Sequence, residues 1–137
     1  PDMAPMLFAK AIAGGQPIKL FNEGRMQRDF TYIDDIIEGV VRVMAKPPVK
    51  GEDDRPHAIY NIGCSSPVML DEFIAEIEQA LNRKAERVLM PMQAGDVERT
   101  FADTTLLEQR FGYRPQTTLH EGIGRFIEWF KSYNSKK

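Results

Sequence analysis

The chain has 137 residues, with 18 Lys and Arg against 20 Asp and Glu, for a formal charge of −2 and a pI near 5.7. That balance argues against a nucleic-acid backbone as partner, since proteins that grip one usually carry a basic stripe or a high pI. One cysteine, Cys64, excludes an internal disulfide and a cysteine-built zinc site, and two histidines, His57 and His120, are too few and too far apart for a metal cluster. No apolar run approaches the roughly 20 residues of a membrane span, and no secretory pattern opens the chain. The expectation is a cytoplasmic soluble protein with one domain over residues 1–137.

The chain opens on Pro1-Asp2-Met3 with no initiator methionine, directly ahead of an apolar segment. This start suggests a piece of a longer protein with a partner lobe upstream. The first helix is predicted over Ala4–Ala13, with Leu7, Phe8, Ala11 and Ile12 on one stripe and Gly14-Gly15 as its stop. A short strand follows at Ile18–Phe21. Asn22-Glu23-Gly24 reads as a turn in which Asn or Gly takes positive φ. The aromatic and β-branched run Arg28–Ile33 reads as the next strand.

Asp35 and Glu38 stand where an N-cap carboxylate and an N3 glutamate would stand. Behind them Ile36, Ile37, Val40, Val41 and Met44 keep helical spacing until Lys46-Pro47-Pro48 ends the helix. Val49–His57 is the longest polar loop. Ala58–Ile62 is expected to be a strand, and a helix from about Leu70 carries Phe73, Ile74, Ile77 and Leu81 on its core side. Arg87–Met92 is a further strand. Thr104–Phe111 is a helix ended by Gly112, and Leu119 to about Tyr133 is the last helix, with Ile123, Phe126, Ile127 and Phe130 inward. The tail beyond it is expected to fray. Alternating short strands and helices make a small mixed α/β unit.

Arg28, at a turn-to-strand junction, can offer its planar fork to a phosphate or carboxylate. The competing reading is a surface arginine paired with Asp29 or Glu23. Arg25 reads as solvated. Asp34 and Asp35 read as capping groups rather than as an acid/base couple or metal cradle. Asp96, between Gly95 and Val97, is either a turn residue or an acceptor for ribose hydroxyls. Cys64 reads as an inert thiol, because no histidine lies close in sequence.

A G-x-G-x-x-G pattern fails at its third position, where Gly122 and Gly124 are followed by Ile127, and no P-loop occurs. Tyr133 and Lys137 satisfy Y-x-x-x-K, but on a polar tail, as a chance match. No catalytic residue and no metal ligand is therefore assigned.

Several motifs together carry more. Pro1-Asp2-Met3-Ala4, the strand Ile18–Phe21, Arg28-Asp29-Phe30-Thr31-Tyr32-Ile33-Asp34, Tyr60-Asn61-Ile62-Gly63, Gly95-Asp96-Val97 and Ala102-Asp103 occur in this order. In order and spacing they resemble the C-terminal part of extended short-chain dehydrogenase/reductases, in the NAD-dependent epimerase/dehydratase family. The likeness is greatest to UDP-glucuronate 4-epimerases and covers nearly the whole chain.

The resemblance implies a substrate-binding lobe whose Rossmann partner, with the NAD site and the catalytic Tyr-x-x-x-Lys, lies upstream. It implies a full-length enzyme, normally a homodimer, that epimerises a UDP-sugar through a 4-keto intermediate. The present chain alone would be inactive. By position, Lys19, Leu20 and Phe21 match the strand whose backbone pairs with uracil. Arg28 matches the arginine on the diphosphate and Phe30 the aromatic beside the nucleotide. Asp96 matches the acid near the ribose, and Asp2 and Met3 match the segment passing the diphosphate.

One departure stands out: Gln93 occupies the place of a second phosphate-binding arginine, with Arg87 and Arg99 as nearby cations. The same lobe from another nucleotide-sugar epimerase, dehydratase or decarboxylase is the alternative reading. A stand-alone non-catalytic binding domain, without a large apolar face around Leu7 and Phe8, is a third.

Overall fold

The computed structural model describes residues 3–49 and 56–135. Asp2 and most of the predicted loop Val49–His57 lie outside the described residues. The chain forms two compact units. The first comprises Pro1–Arg28, Val68–Thr100 and Thr118–Lys137, and the second Asp29–Pro67 and Phe101–Thr117.

In the first unit, helix α1 spans Ala4–Gly14, and Gly15 closes it with φ +68°. The left-handed conformation favours glycine at this point. The buried stripe is Met6, Ala9 and Ile12, while Leu7 is half exposed. The expected stripe of Leu7, Phe8, Ala11 and Ile12 is thus displaced by about one position. Phe8 still reaches the Phe73 ring, with centroids 6.4 Å apart.

Strand β1 is Ile18–Leu20. Phe21, expected to continue it, instead starts a tight 3-10 turn over Phe21–Gly24. Asn22, Glu23 and Gly24 have φ of 49°, 54° and 80°, a run of left-handed backbone that no strand can contain.

Strand β2 is only Gln27–Arg28, not the expected Arg28–Ile33. It pairs antiparallel with β3, Val68–Met69, in the register Gln27↔Met69 and Arg28↔Val68. Helix α2, in the other unit, already begins at Ile33. The residues before it use side chains rather than a ladder to bind backbone: Thr31 accepts the Cys64 N–H and Asp29 the Ser65 N–H.

Helix α3, Leu70–Leu81, forms the centre of the first unit's core, with Phe73, Ile74 and Ile77 at most 1% exposed. Each such side chain stabilises the fold by roughly 1.5–3 kcal/mol. Asn82, left-handed, closes α3. Strand β4 is Arg87–Leu89, shorter than the expected Arg87–Met92, and pairs parallel with β1 as Ile18↔Arg87 and Leu20↔Leu89.

In the second unit, α2 covers Ile33–Ala45. Asp35 is therefore inside the first turn and is not its N-cap. Its carboxylate accepts the Thr117 N–H at 3.0 Å instead. Asp34 and Asp35 still face the positive end of the helix dipole. Gly39 is buried, and a Cβ there would stand 3.0 Å from Ile62 and 3.1 Å from the Tyr113 ring.

The expected core face of α2 is not covered among the described residues: Ile37, Val40, Val41 and Met44 are exposed, as is Ile33. Ala58–Ile62, expected to be a strand, joins no ladder among the described residues. Helix α4, Thr105–Phe111, ends at Gly112 with φ 58° as predicted. Tyr60 meets the Phe111 ring edge-on at 5.2 Å.

The last helix, α5, spans Leu119–Asn134 in the first unit, and Thr118 caps it by accepting the Glu121 N–H. Ile123, Ile127 and Phe130 are buried as expected. No helix among the described residues is long and apolar enough to cross a membrane.

Candidate functional site

Arg28 ends β2, and its guanidinium is held from several sides. Nη1 donates to the Gln27 carbonyl at 2.9 Å and, more distantly, to the Glu98 carbonyl at 3.4 Å. Nη2 donates to Asp96 Oδ1 at 2.8 Å and lies 4.0 Å from the Met26 sulfur. The partner of Arg28 is thus neither Asp29 nor Glu23. It is Asp96, the other polar residue singled out in the sequence.

The backbone explains how residues so far apart in sequence meet. Gln27 N–H donates to the Glu98 carbonyl, Thr100 N–H donates to the Gln27 carbonyl, and Gln27 bridges Arg99. These bonds tie the segment after Asp96 to β2. The turn Gln93–Asp96 closes by Asp96 N–H on the Gln93 carbonyl at 3.2 Å. Gly95 takes φ 84° in it. Asp96 Oδ1 also accepts the Val97 N–H at 3.0 Å. Both side chains remain partly open to solvent, Arg28 at 23% and Asp96 at 34%. A cation held this way is preorganised and still reachable by a ligand.

Lys19, Leu20 and Phe21 separate by role. Leu20 is buried and Lys19 exposed. Ile18 N–H donates to Glu86 and Leu20 C=O accepts from Met90, so strand alternation turns the N–H and C=O of Lys19 to the opposite edge. Phe21 has left the strand. Met3 precedes α1 as its N-cap residue and is 74% exposed. Asp2 lies outside the described residues. Phe30 belongs to the second unit and is half-buried.

The two nearby cations, Arg87 and Arg99, differ in what engages them. Arg87 is engaged with Asp71 at 3.1 Å and Glu78 at 3.4 Å, and Arg99 stands in the backbone bridge to Gln27. Arg25 pairs with Glu23 on the surface. His120 meets Glu76 at 2.7 Å. Cys64 is half-buried, and burial, followed by the Asp29 and Asp35 carboxylates, raises its thiol pKa against the opposing effects of Thr31 and Arg114. That leaves it a poor nucleophile.

Among the described residues, no group of three His, Cys, Asp or Glu could hold a metal ion. Gly122 and Gly124 lie inside α5 rather than at a strand-to-helix turn. Tyr133 stacks on Trp129 at 5.2 Å.

The Arg28–Asp96 bond itself had no signature in the sequence, because 68 residues separate its partners.

Residues 2–63 match the model of the NAD dependent epimerase/dehydratase family. The chain is 42% identical over 144 residues to a probable UDP-glucuronate 4-epimerase of Rhizobium meliloti, covering 95% of this chain and 42% of that protein. It is 40% identical over 147 residues to the protein CapI of Staphylococcus aureus, covering 99% of this chain and 44% of the other. Its fold is similar to the crystal structure of UDP-glucuronic acid 4-epimerase from Bacillus cereus in complex with UDP-glucuronic acid and NAD. There the TM-score is 0.83 at 26% identity, over 97% of this chain and 41% of that one. The chain spans about two fifths of the length of such curated relatives.

Proposed function

We propose that this chain belongs to the NAD dependent epimerase/dehydratase family, whose model its residues 2–63 match, and is one nucleotide-sugar-binding lobe. Arg28 takes the diphosphate, the edge of β1 at Lys19 that faces away from β4 meets the uracil, and Asp96 meets the ribose. The observation that carries this reading is the Arg28 guanidinium, fixed by Gln27, Glu98 and Asp96 and still partly open to solvent. The resemblance alone supports Asp2, Met3 and Phe30 as further contacts.

The full-length enzyme is a UDP-glucuronate 4-epimerase working through a 4-keto sugar. NAD, which supplies the oxidation and reduction, is held by an N-terminal lobe outside this chain, and the full-length protein is a homodimer. The exposed apolar residues Ile37, Val40, Val41 and Met44 on α2, rather than Leu7 and Phe8 alone, support a docking face for that lobe.

Calorimetric titration tests the assignment. The chain is expected to bind UDP, to bind NAD not at all and to show no epimerase activity. NAD binding without UDP binding would overturn it.

A further inference from the structure

We infer that Asp96 is the specificity-determining residue of the Arg28 anion site. It neutralises the arginine as an internal anion with which a diphosphate competes, and it turns to the ribose when displaced. This rests on the nucleotide reading above. Both Nη atoms of Arg28 are engaged, Nη1 by backbone carbonyls within β2 and its neighbouring segment, Nη2 by Asp96. Backbone carbonyls cannot leave without breaking the Gln27–Glu98–Thr100 ladder. A side chain on a turn can. Asp96 is the one charged acceptor in the set and therefore the group that an incoming anion competes with most directly.

The turn is suited to that exchange. Asp96 is held by two bonds, to Arg28 and to the Val97 N–H, both through Oδ1. Among the described residues Oδ2 has no hydrogen-bond partner, and a third of the side chain is exposed. Gly95, next to Asp96 in the turn, has nothing within 4 Å of where a Cβ would stand, so among the described residues nothing packs against the turn at that position.

The charge arithmetic gives the specificity. With Asp96 in place, the pair is neutral and attracts free phosphate or pyrophosphate weakly. A lone anion that displaces Asp96 leaves a carboxylate beside itself with nothing to bind. A nucleoside diphosphate brings a ribose diol whose hydroxyls donate to the displaced carboxylate. The site thereby rejects bare polyanions and accepts the anion only when it is joined to a ribose.

The test compares inorganic pyrophosphate and UDP on wild type and Asp96→Asn, with Asp96→Ser as a second variant that retains an acceptor for the Val97 N–H. Pyrophosphate is expected to bind either variant about tenfold tighter than wild type, a change worth about 1.4 kcal/mol. The UDP-to-pyrophosphate affinity ratio should fall by at least that factor. Unchanged or weaker pyrophosphate binding in folded variants, with UDP binding to wild type intact, overturns the exchange and leaves the nucleotide reading standing. If wild type fails to bind UDP while pyrophosphate tightens in the variants, the nucleotide reading falls and the internal anion remains.

Discussion

The Asp29 carboxylate accepts the backbone N–H of Ala102 at 3.0 Å across 73 residues of sequence. The same carboxylate takes the N–H of Ser65 at 3.1 Å and reaches Ser66 at 3.4 Å. Ser65 completes the knot by donating its hydroxyl to the Ala102 carbonyl and bonding the Thr104 hydroxyl at 2.8 Å. One side chain thereby fastens three stretches of the second unit. Asp29→Asn keeps the shape but loses the charge and one acceptor, and should cost about 2 kcal/mol, read as a lower urea midpoint. An unchanged midpoint would mean that the knot contributes nothing net.

Gly63 sits against this knot, where a Cβ would stand 2.6 Å from the Ala102 Cβ and 3.3 Å from Asp29. Gly63→Ala should destabilise by about 2 kcal/mol through overpacking. Gly124, inside α5 with nothing within 4 Å, is the contrasting case. There alanine should stabilise by about 0.5–1 kcal/mol through helix propensity. Thermal melts of the two variants should move in opposite directions.

Glu78 is 4% exposed. Burial works to raise its pKa, but the Ala85 N–H, Lys84 and Arg87 outweigh burial and hold it below its ordinary value. Lys84 Nζ stands at 2.9 Å and the Ala85 N–H at 3.0 Å. A carboxyl with a depressed folded pKa binds its proton more readily in the unfolded chain. Its stabilisation is therefore complete above the unfolded value near 4.5 and is lost as pH falls through the lower folded value. Glu78→Gln should cost about 2 kcal/mol at neutral pH, and the gap between variant and wild type should narrow below pH about 4. A gap that stays constant with pH would assign the loss to shape rather than charge.

Cys64, with its pKa raised chiefly by burial, should react with iodoacetamide at pH 7.5 more slowly than an unstructured peptide thiol. Mass spectrometry after timed quenching reads the rate. Reaction faster than the peptide would restore Cys64 as a nucleophile.

The helices were largely legible because each carries its own signals. The 3.6-residue spacing of Phe73, Ile74 and Ile77, and the left-handed Gly112 after Phe111, are local features. The strands were legible only in part, because a strand's length depends on a partner elsewhere in the chain. Val68 meets Arg28, and the two residues of β2 end where Asp29 turns to side-chain bonding. The α2 start was misplaced for a related reason. Asp35 looks like a cap locally, yet its carboxylate serves Thr117, 82 residues away. Within the site, Arg28 and Asp96 were each legible by residue type and setting, whereas their bond came from the Gln27 backbone contacts that place the Asp96 turn beside β2.

The central claim is that Arg28 binds the diphosphate of a UDP-sugar, and UDP titrated into wild type, Arg28→Lys and Arg28→Ala tests it most directly. Loss of a charge-assisted donor predicts UDP affinity at least about tenfold lower in Arg28→Ala, with uridine affinity unchanged. Arg28→Lys should fall between, since an ammonium retains the charge without the fork. Equal UDP affinity in wild type and folded Arg28→Ala would contradict the claim.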